Sequence, residues 1–225
     1  MSSKLTITNE DNMELMSRYP DNHFELAIVD PPYGIKIGGN GKIGGNGKIT
    51  RVTDYKPVDW DDDIPTNSYF EELRRVSKNQ IIWGANHFVN HINFSRGWVC
   101  WDKKCRDWDD NFSDGELAYT SFDKQLKIYR HQWMGALRKK TNESENKRIH
   151  PTQKPIQLYK WLLQNYAKEG DKILDTHLGS GSIAIACYDL GFDLTACELD
   201  KDYYDAAMKR IKNHTDQLTI FDLGA

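Results

Sequence analysis

The last third of the chain is what most limits its fold. Lys172 to Leu174 is a short run that reads as a strand, followed by Asp175-Thr176-His177-Leu178-Gly179-Ser180-Gly181-Ser182. Ile183 to Leu190 has the composition of a helix, with Gly191 as its stop. Leu194 to Cys197 then reads as a second strand ending in Glu198-Leu199-Asp200, and Asp202 to Lys212 as a closing helix. Strand, glycine turn, helix and strand make a β-α-β unit, which implies an α/β chain with a parallel sheet covered on both faces. A glycine turn that opens a helix brings backbone N–H groups close to a ligand. An acid at the end of the following strand, here Glu198, can accept hydrogen bonds from ribose hydroxyls. The turn alone leaves three readings open. Gly179-x-Gly181-x-x-Ala184 also fits the dinucleotide fingerprint of a nicotinamide-dependent oxidoreductase, and a purely structural tight turn is the third.

Upstream, Phe24 to Val29 (FELAIV) is an apolar run ending in Asp30-Pro31-Pro32-Tyr33-Gly34. Two prolines cannot continue a central strand, so a buried strand should stop there at a rigid loop. IGGNGK begins at Ile37 and recurs from Ile43. With so many glycines, a mobile loop is expected over about residues 36–58. Thr66 or Asn67 can cap a helix running to about Val76. Gln80 to Trp83, Gly97 to Trp101, Glu116 to Thr120 and Gln125 to Tyr129 read as further strands. Arg130 to Ile149 turns polar and basic and is expected to be a surface insertion. In His150-Pro151-Thr152-Gln153-Lys154-Pro155, Pro155 suits the first turn of a helix, with Gly170 at its C′ position. The length of 225 residues fits a single domain.

The Asp-Pro-Pro-Tyr turn carries its own chemistry. The exocyclic amine of a nucleobase is a weak nucleophile, because its lone pair is delocalised into the ring. Acceptors placed on its N–H hydrogens draw that lone pair out. Asp30 can offer a carboxylate oxygen and Pro31 a carbonyl, held rigid by Pro32 so that little reorganisation is needed as charge develops. Such a base must leave the duplex stack, and Tyr33 is the aromatic face expected to hold it. Nothing in hydride transfer calls for this turn. A bare strand-terminating turn is the duller alternative.

Taken together, DPPYG, HPTQKP and DTHLGSGS followed by ELD resemble the amino-methylating DNA methyltransferases, in the permuted order called the β class. The resemblance spans about Glu25 to Lys212. It implies a class I, Rossmann-like, three-layer fold with a mostly parallel sheet of about seven strands. It implies methyl transfer from S-adenosylmethionine to N6 of adenine in DNA, with cytosine N4 as the alternative, since N4 enzymes more often carry serine where Asp30 stands. Asp30, Pro31, Pro32 and Tyr33 would form the catalytic loop. Asp175, His177, Gly179, Ser180, Gly181, Ser182, Glu198, Leu199, Lys154 and Pro155 would belong to the cofactor side. Thr176 and His177 depart from the family's Pro-Phe pair, and His177 could stack where that aromatic would. A catalytically silent DNA-binding partner of the same fold also remains open.

The net charge of −3 does not mark a nucleic-acid binder, but basic residues concentrated on one face suffice. Arg138, Lys139, Lys140, Lys147 and Arg148, in a short recognition segment over residues 130–149, are the candidates for phosphate contacts. So short a segment suggests a short or relaxed target sequence and a stand-alone modification enzyme of the restriction-modification or phage-encoded kind, with no nuclease in the chain. A homodimer is expected from the resemblance. Gln217, Leu218, Ile220 and Phe221, in a tail over residues 215–225, resemble the short peptides that dock on a replication sliding clamp. None of Cys100, Cys105, Cys187 and Cys197 forms a CxxC pair, so neither a zinc site nor a redox motif is expected. No apolar run approaches the roughly 20 residues of a membrane span, and Met1-Ser2-Ser3-Lys4 has no signal-like apolar core. The expectation is a cytoplasmic protein.

Overall fold

The computed structural model describes residues 3–36, 42–43, 53–54, 61–105, 113–134, 137–138 and 148–222. The chain opens with strand β1 (Leu5–Thr8) and helix α1 (Asn12–Ser17). Asp11 caps α1 by accepting the N–H groups of Met13 and Glu14. Strand β2 (Phe24–Val29) follows, then the short β3 (Lys42–Ile43) and β4 (Thr53–Asp54), helix α2 (Asn67–Val76) and β5 (Ser77–Trp83). After a 3-10 turn at Ala85–His87 come β6 (Trp98–Asp102), β7 (Gly115–Thr120), β8 (Lys127–Arg130), and the short β9 (Trp133–Met134) and β10 (Leu137–Arg138). The last part is α3 (Ile156–Tyr166), β11 (Lys172–Asp175), α4 (Ser182–Leu190), β12 (Asp193–Cys197) and α5 (Lys201–Asp222).

Eight strands form one sheet in the order β1-β12-β11-β2-β5-β7-β6-β8. β1, β12, β11, β2 and β5 run parallel, β7 is antiparallel to both its neighbours, and β8 is parallel to β6. The central strands read as continuous apolar runs because both faces are covered. On β2, Leu26 and Ile28 pack with residues of α3, α4 and α5. Ala27 and Val29 pack with α1 and α2. This is the expected three-layer α/β fold with a mostly parallel sheet.

β11 and β2 are neighbours at the centre of the sheet, and Ile173 pairs with Leu26. From β11 the chain crosses through α4 to β12 on one side. From β2 it crosses through α2 to β5 on the other side. Strand order therefore reverses between them, and the crevice beyond the carboxyl ends of strands at such a switch point is where open α/β sheets bind ligands.

Several elements differ from the sequence reading. The sheet has eight strands, not about seven, because Leu5–Thr8 adds an edge strand. Its residues are all half-buried and its partner Leu194–Cys197 lies nearly the whole chain away, so no local pattern marks it. Helix α3 ends at Tyr166 with Ala167 as an extended C-cap, and Gly170 is not its C′ residue. Gly170, at φ +84°, turns the chain into β11 instead. Helix α5 continues ten residues past Lys212, so the backbone at 217–222 is helical and not a loose end. The side chains of residues 218–222, including Leu218, Ile220 and Phe221, lie outside the described residues. Most of the glycine-rich segment over 36–58 does too, although Lys42 and Ile43 pair with Asp54 and Thr53. The segment read as an insertion over 130–149 begins inside the fold. Arg130 ends β8, and Trp133 is buried in the main core.

Candidate active site

The turn after β2 is held by side chains from far along the chain. Asp61, 3% exposed, accepts the backbone N–H groups of Tyr33 at 2.7 Å and Gly34 at 3.2 Å through one oxygen. The Tyr33 ring lies against Gly84, where an added Cβ would stand 2.1 Å from a ring carbon. It stacks on His87 with centroids 5.2 Å apart and planes 11° from parallel. Its hydroxyl donates to Asp30 Oδ1 at 2.7 Å. The other oxygen of Asp30 takes the ammonium of Lys154, which is only 3% exposed. Burial raises the Asp30 pKa, and the Lys154 charge opposes that rise. Burial would lower the Lys154 pKa, but the carboxylates of Asp30 and Glu116 raise it overall.

The turn after β11 is mostly backbone. Asp175 Oδ1 accepts the N–H of His177 at 3.0 Å, and Leu178 N–H donates to the Cys197 carbonyl at 3.0 Å. Gly179 and Gly181 sit at φ +53° and +72°, the left-handed region that other residues enter at a cost. Buried Arg210 donates to the Ser180 carbonyl at 2.7 Å and to Ser182 Oγ at 3.0 Å. Ser182 Oγ in turn donates to the Lys154 carbonyl at 2.7 Å, tying this turn to the segment that feeds Asp30. After β12, the Glu198 carboxylate accepts the N–H of Gly179 at 2.8 Å and of Asp200 at 3.0 Å. Burial raises the Glu198 pKa, against those backbone donors.

Both turns open into one cleft of about 530 Å³. Of the predicted site residues it is lined by Asp30, Pro32, Lys154, His177, Gly179, Ser180, Glu198 and Leu199. Leu199 is 69% exposed there, an apolar surface beside the acid. Tyr33 does not line the cleft, nor do Pro31, Asp175, Gly181, Ser182 and Pro155, which lie around and beneath the turns. Burial pushes Asp175 up to about 8. It pushes His177 down to about 4 and His150 down to about 3. His177 bonds Asn12 Nδ2 and Thr176 Oγ1 through its two ring nitrogens, at 3.2 and 2.9 Å.

Of the predicted basic contacts, Arg138 places its guanidinium 5.4 Å from the Trp133 ring centroid, and Arg148 Nε donates to the His150 carbonyl at 3.1 Å. Neither lines the cleft. Lys139, Lys140 and Lys147 lie outside the described residues. The sequence reading missed Asp61, Gly84, Glu116 and Arg210, none of which sits in a motif. It also missed His150, whose ring meets Tyr203 at 4.4 Å, and Tyr69, both on the cleft wall.

A doubly wound sheet with a glycine turn, a following acid and an Asp-Pro-Pro-Tyr turn on one crevice defines an α/β enzyme of the class I transferase type. The DNA methylase family model (N6/N4 type) matches residues 78–209, and the chain belongs to that family. It is 25% identical over 253 residues to the type II methyltransferase M2.DpnII of Streptococcus pneumoniae, covering 93% of this chain and 90% of that protein. The M1.HpyAVI–SAM complex superposes with a TM-score of 0.55 at 21% identity, covering 92% of this chain and 99% of the other. The PvuII DNA methyltransferase, described as cytosine-N4-specific, gives 0.59 at 11% identity, with coverages of 96% and 92%. The two structural likenesses speak for the fold.

Proposed function

We propose that this chain transfers the methyl group of S-adenosylmethionine to an exocyclic amine of a flipped-out DNA base, N6 of adenine. The observation that carries the reading is the shared cleft: Asp30 and the glycine turn face the same space. The residues present fit the cofactor. Glu198, its oxygens already anchored by backbone N–H groups, has lone pairs left for ribose hydroxyls, and the exposed Leu199 offers an apolar surface for an adenine ring. When bound, S-adenosylmethionine supplies a methyl group on a positively charged sulfur.

The chain's own part is to prepare the amine. Asp30 would accept one N–H and the Pro31 carbonyl the other, so the lone pair is drawn out of conjugation and localised on nitrogen. As the new N–C bond formed, the methyl's bond to the sulfonium sulfur would break, its electron pair staying on sulfur as a neutral thioether; the positive charge would pass to nitrogen, and Asp30 would take a proton from it. The Tyr33 hydroxyl holds one Asp30 oxygen before the base arrives, and the Tyr33 ring, stacked on His87 and packed against Gly84, braces the turn from outside the cleft wall. Arg138, Lys139, Lys140, Lys147 and Arg148 would neutralise phosphates along the approaching duplex, which predicts binding that weakens as salt rises.

Incubating the protein with DNA and methyl-labelled S-adenosylmethionine, followed by nucleoside analysis, tests the reading. N6-methyladenine supports it. N4-methylcytosine would keep the mechanism and change the base, and absence of any labelled nucleoside would refute the proposal.

A further inference from the structure

Behind Asp30 lies a line of charged side chains that the mechanism above leaves unused. Lys154 Nζ bonds Asp30 Oδ2 and stands 3.2 Å from Glu116 Oε2. Glu116 Oε1 lies 2.9 Å from Lys103 Nζ. The charges alternate: carboxylate, ammonium, carboxylate, ammonium. Lys154 is buried with its ammonium 5.4 Å from the Trp83 ring centroid and 5.8 Å from that of Tyr33. Little water reaches it, so its charge is shared between two carboxylates instead of being screened.

We propose that Glu116 is a positioning residue for methyl transfer. It draws on Lys154, so that Asp30 is a stronger base than a carboxylate paired one-to-one with a lysine, and Lys103 limits how far Glu116 does so. The inference rests on Asp30 being the acceptor. Asp30 has two demands to meet: it must be ionised when the amine arrives, and basic enough to take a proton once the N–C bond has formed and nitrogen is positive. The methyl's bond to sulfur would break as the N–C bond forms, the electron pair remaining on a neutral thioether; the proton would then move from nitrogen to Asp30, leaving a neutral N-methylated amine, and pass to solvent. Without Lys154, burial would keep Asp30 protonated. With Lys154 all to itself, Asp30 would be a poor base.

The other groups facing Asp30 do not upset this balance. The Tyr33 hydroxyl bonds it, and Tyr69, Tyr159 and Asp175 act on it or feel it through space. Burial raises all three tyrosines, so they stay neutral. Asp175, pushed up to about 8, is mostly protonated at neutral pH. Burial would raise Glu116 as well, yet Lys154 and Lys103 bring it down to about 2, so it carries its charge throughout the working range.

The test compares wild type, Glu116→Gln and Lys103→Met in the full chain. The single-turnover methylation rate is followed from pH 5 to 9, with S-adenosylmethionine affinity measured by calorimetry. In Glu116→Gln the acid limb should move about one unit toward lower pH and the plateau should fall about tenfold, with affinity unchanged. In Lys103→Met the limb should move the opposite way, because Glu116 then leans wholly on Lys154. A ¹³C titration of the side-chain carboxyls in cofactor-free protein, with Asp30 assigned by its loss in Asp30→Asn, should show the same two shifts. Rate loss with an unmoved limb and an unmoved Asp30 titration in both variants, or shifts in the same direction, would overturn the proposal. Should Glu116→Gln not fold, Lys103→Met alone decides. If wild type methylates no DNA, the functional reading fails instead, and the carboxyl titration still judges the role of Glu116.

Discussion

The two turns at the centre of the sheet do neighbouring work by opposite means. The glycine turn is shaped mainly by local backbone bonds, between Asp175 and His177, Leu178 and Gly181, and across to the adjacent strand at Cys197, with Arg210 and the Lys154 carbonyl bracing its Ser180 and Ser182 end from farther away. What it presents is mostly backbone. The Asp-Pro-Pro-Tyr turn presents a side chain, and that side chain is set by residues far from it: Asp61, Gly84 and Lys154. A backbone site can be built locally because glycine conformations place the N–H groups. A carboxylate that must stay charged in a dry place needs a buried cation, and only the tertiary fold can bring one.

The contrast can be broken most severely at Lys154. Lys154→Met leaves Asp30 and Glu116 buried without their shared partner, a loss that typically costs about 3–5 kcal/mol. Turnover should fall at least about a hundredfold and the melting temperature should drop, as rapid-quench assays and calorimetry would show; near-wild-type turnover would separate Asp30 from its cation. At the glycine turn, Glu198→Gln should weaken S-adenosylmethionine binding by roughly ten- to a hundredfold, the worth of a hydrogen bond to a charged group, with the saturated rate little changed. Titration calorimetry with a saturation curve would show whether affinity and rate separate in this way.

A milder break is Asp61→Ala, which orphans the two N–H groups of Tyr33 and Gly34. At about 1–3 kcal/mol for the loss, the rate should fall about tenfold or more while cofactor affinity holds. If affinity falls instead, the two turns are not independent. The smallest effect concerns pH. His150 stays neutral in the folded protein down to about pH 3, whereas an unfolded histidine takes a proton near 6.5. Below 6.5 the unfolded state therefore binds more protons, so stability is full above that pH and declines as pH falls toward 3. His177, neutral down to about 4, acts in the same direction. The melting temperature should drop by several degrees from pH 7 to pH 5, and His150→Asn should make that slope shallower.

The same contrast explains what could be read from the chain. The β-α-β unit, the glycine turn and Glu198 follow from residues within a few positions of one another, and Gly179 and Glu198 line one crevice. The Asp-Pro-Pro-Tyr turn was equally visible as a motif. Its supports are not visible in that way, since Asp61 and Glu116 belong to no motif and lie 31 and 86 positions from Asp30 in the chain. Lys154, beside its proline, reads from the family resemblance as part of the cofactor side. It does line that cleft, but the bond to Asp30 spans 124 residues, a distance at which no spacing rule operates. The edge strand β1 escapes sequence reading for the same reason, because its ladder partner among the described residues lies at the other end of the chain.

The central claim is that the Asp30 carboxylate and the cofactor turn serve one reaction in one cleft. Asp30→Ala, assayed with DNA and labelled S-adenosylmethionine alongside calorimetric cofactor binding, tests it most directly. Methyl transfer should fall at least about a thousandfold, a loss of roughly 4 kcal/mol in transition-state stabilisation, while the cofactor binds within a few-fold of wild type. A variant that still methylates DNA at the wild-type rate would contradict the account.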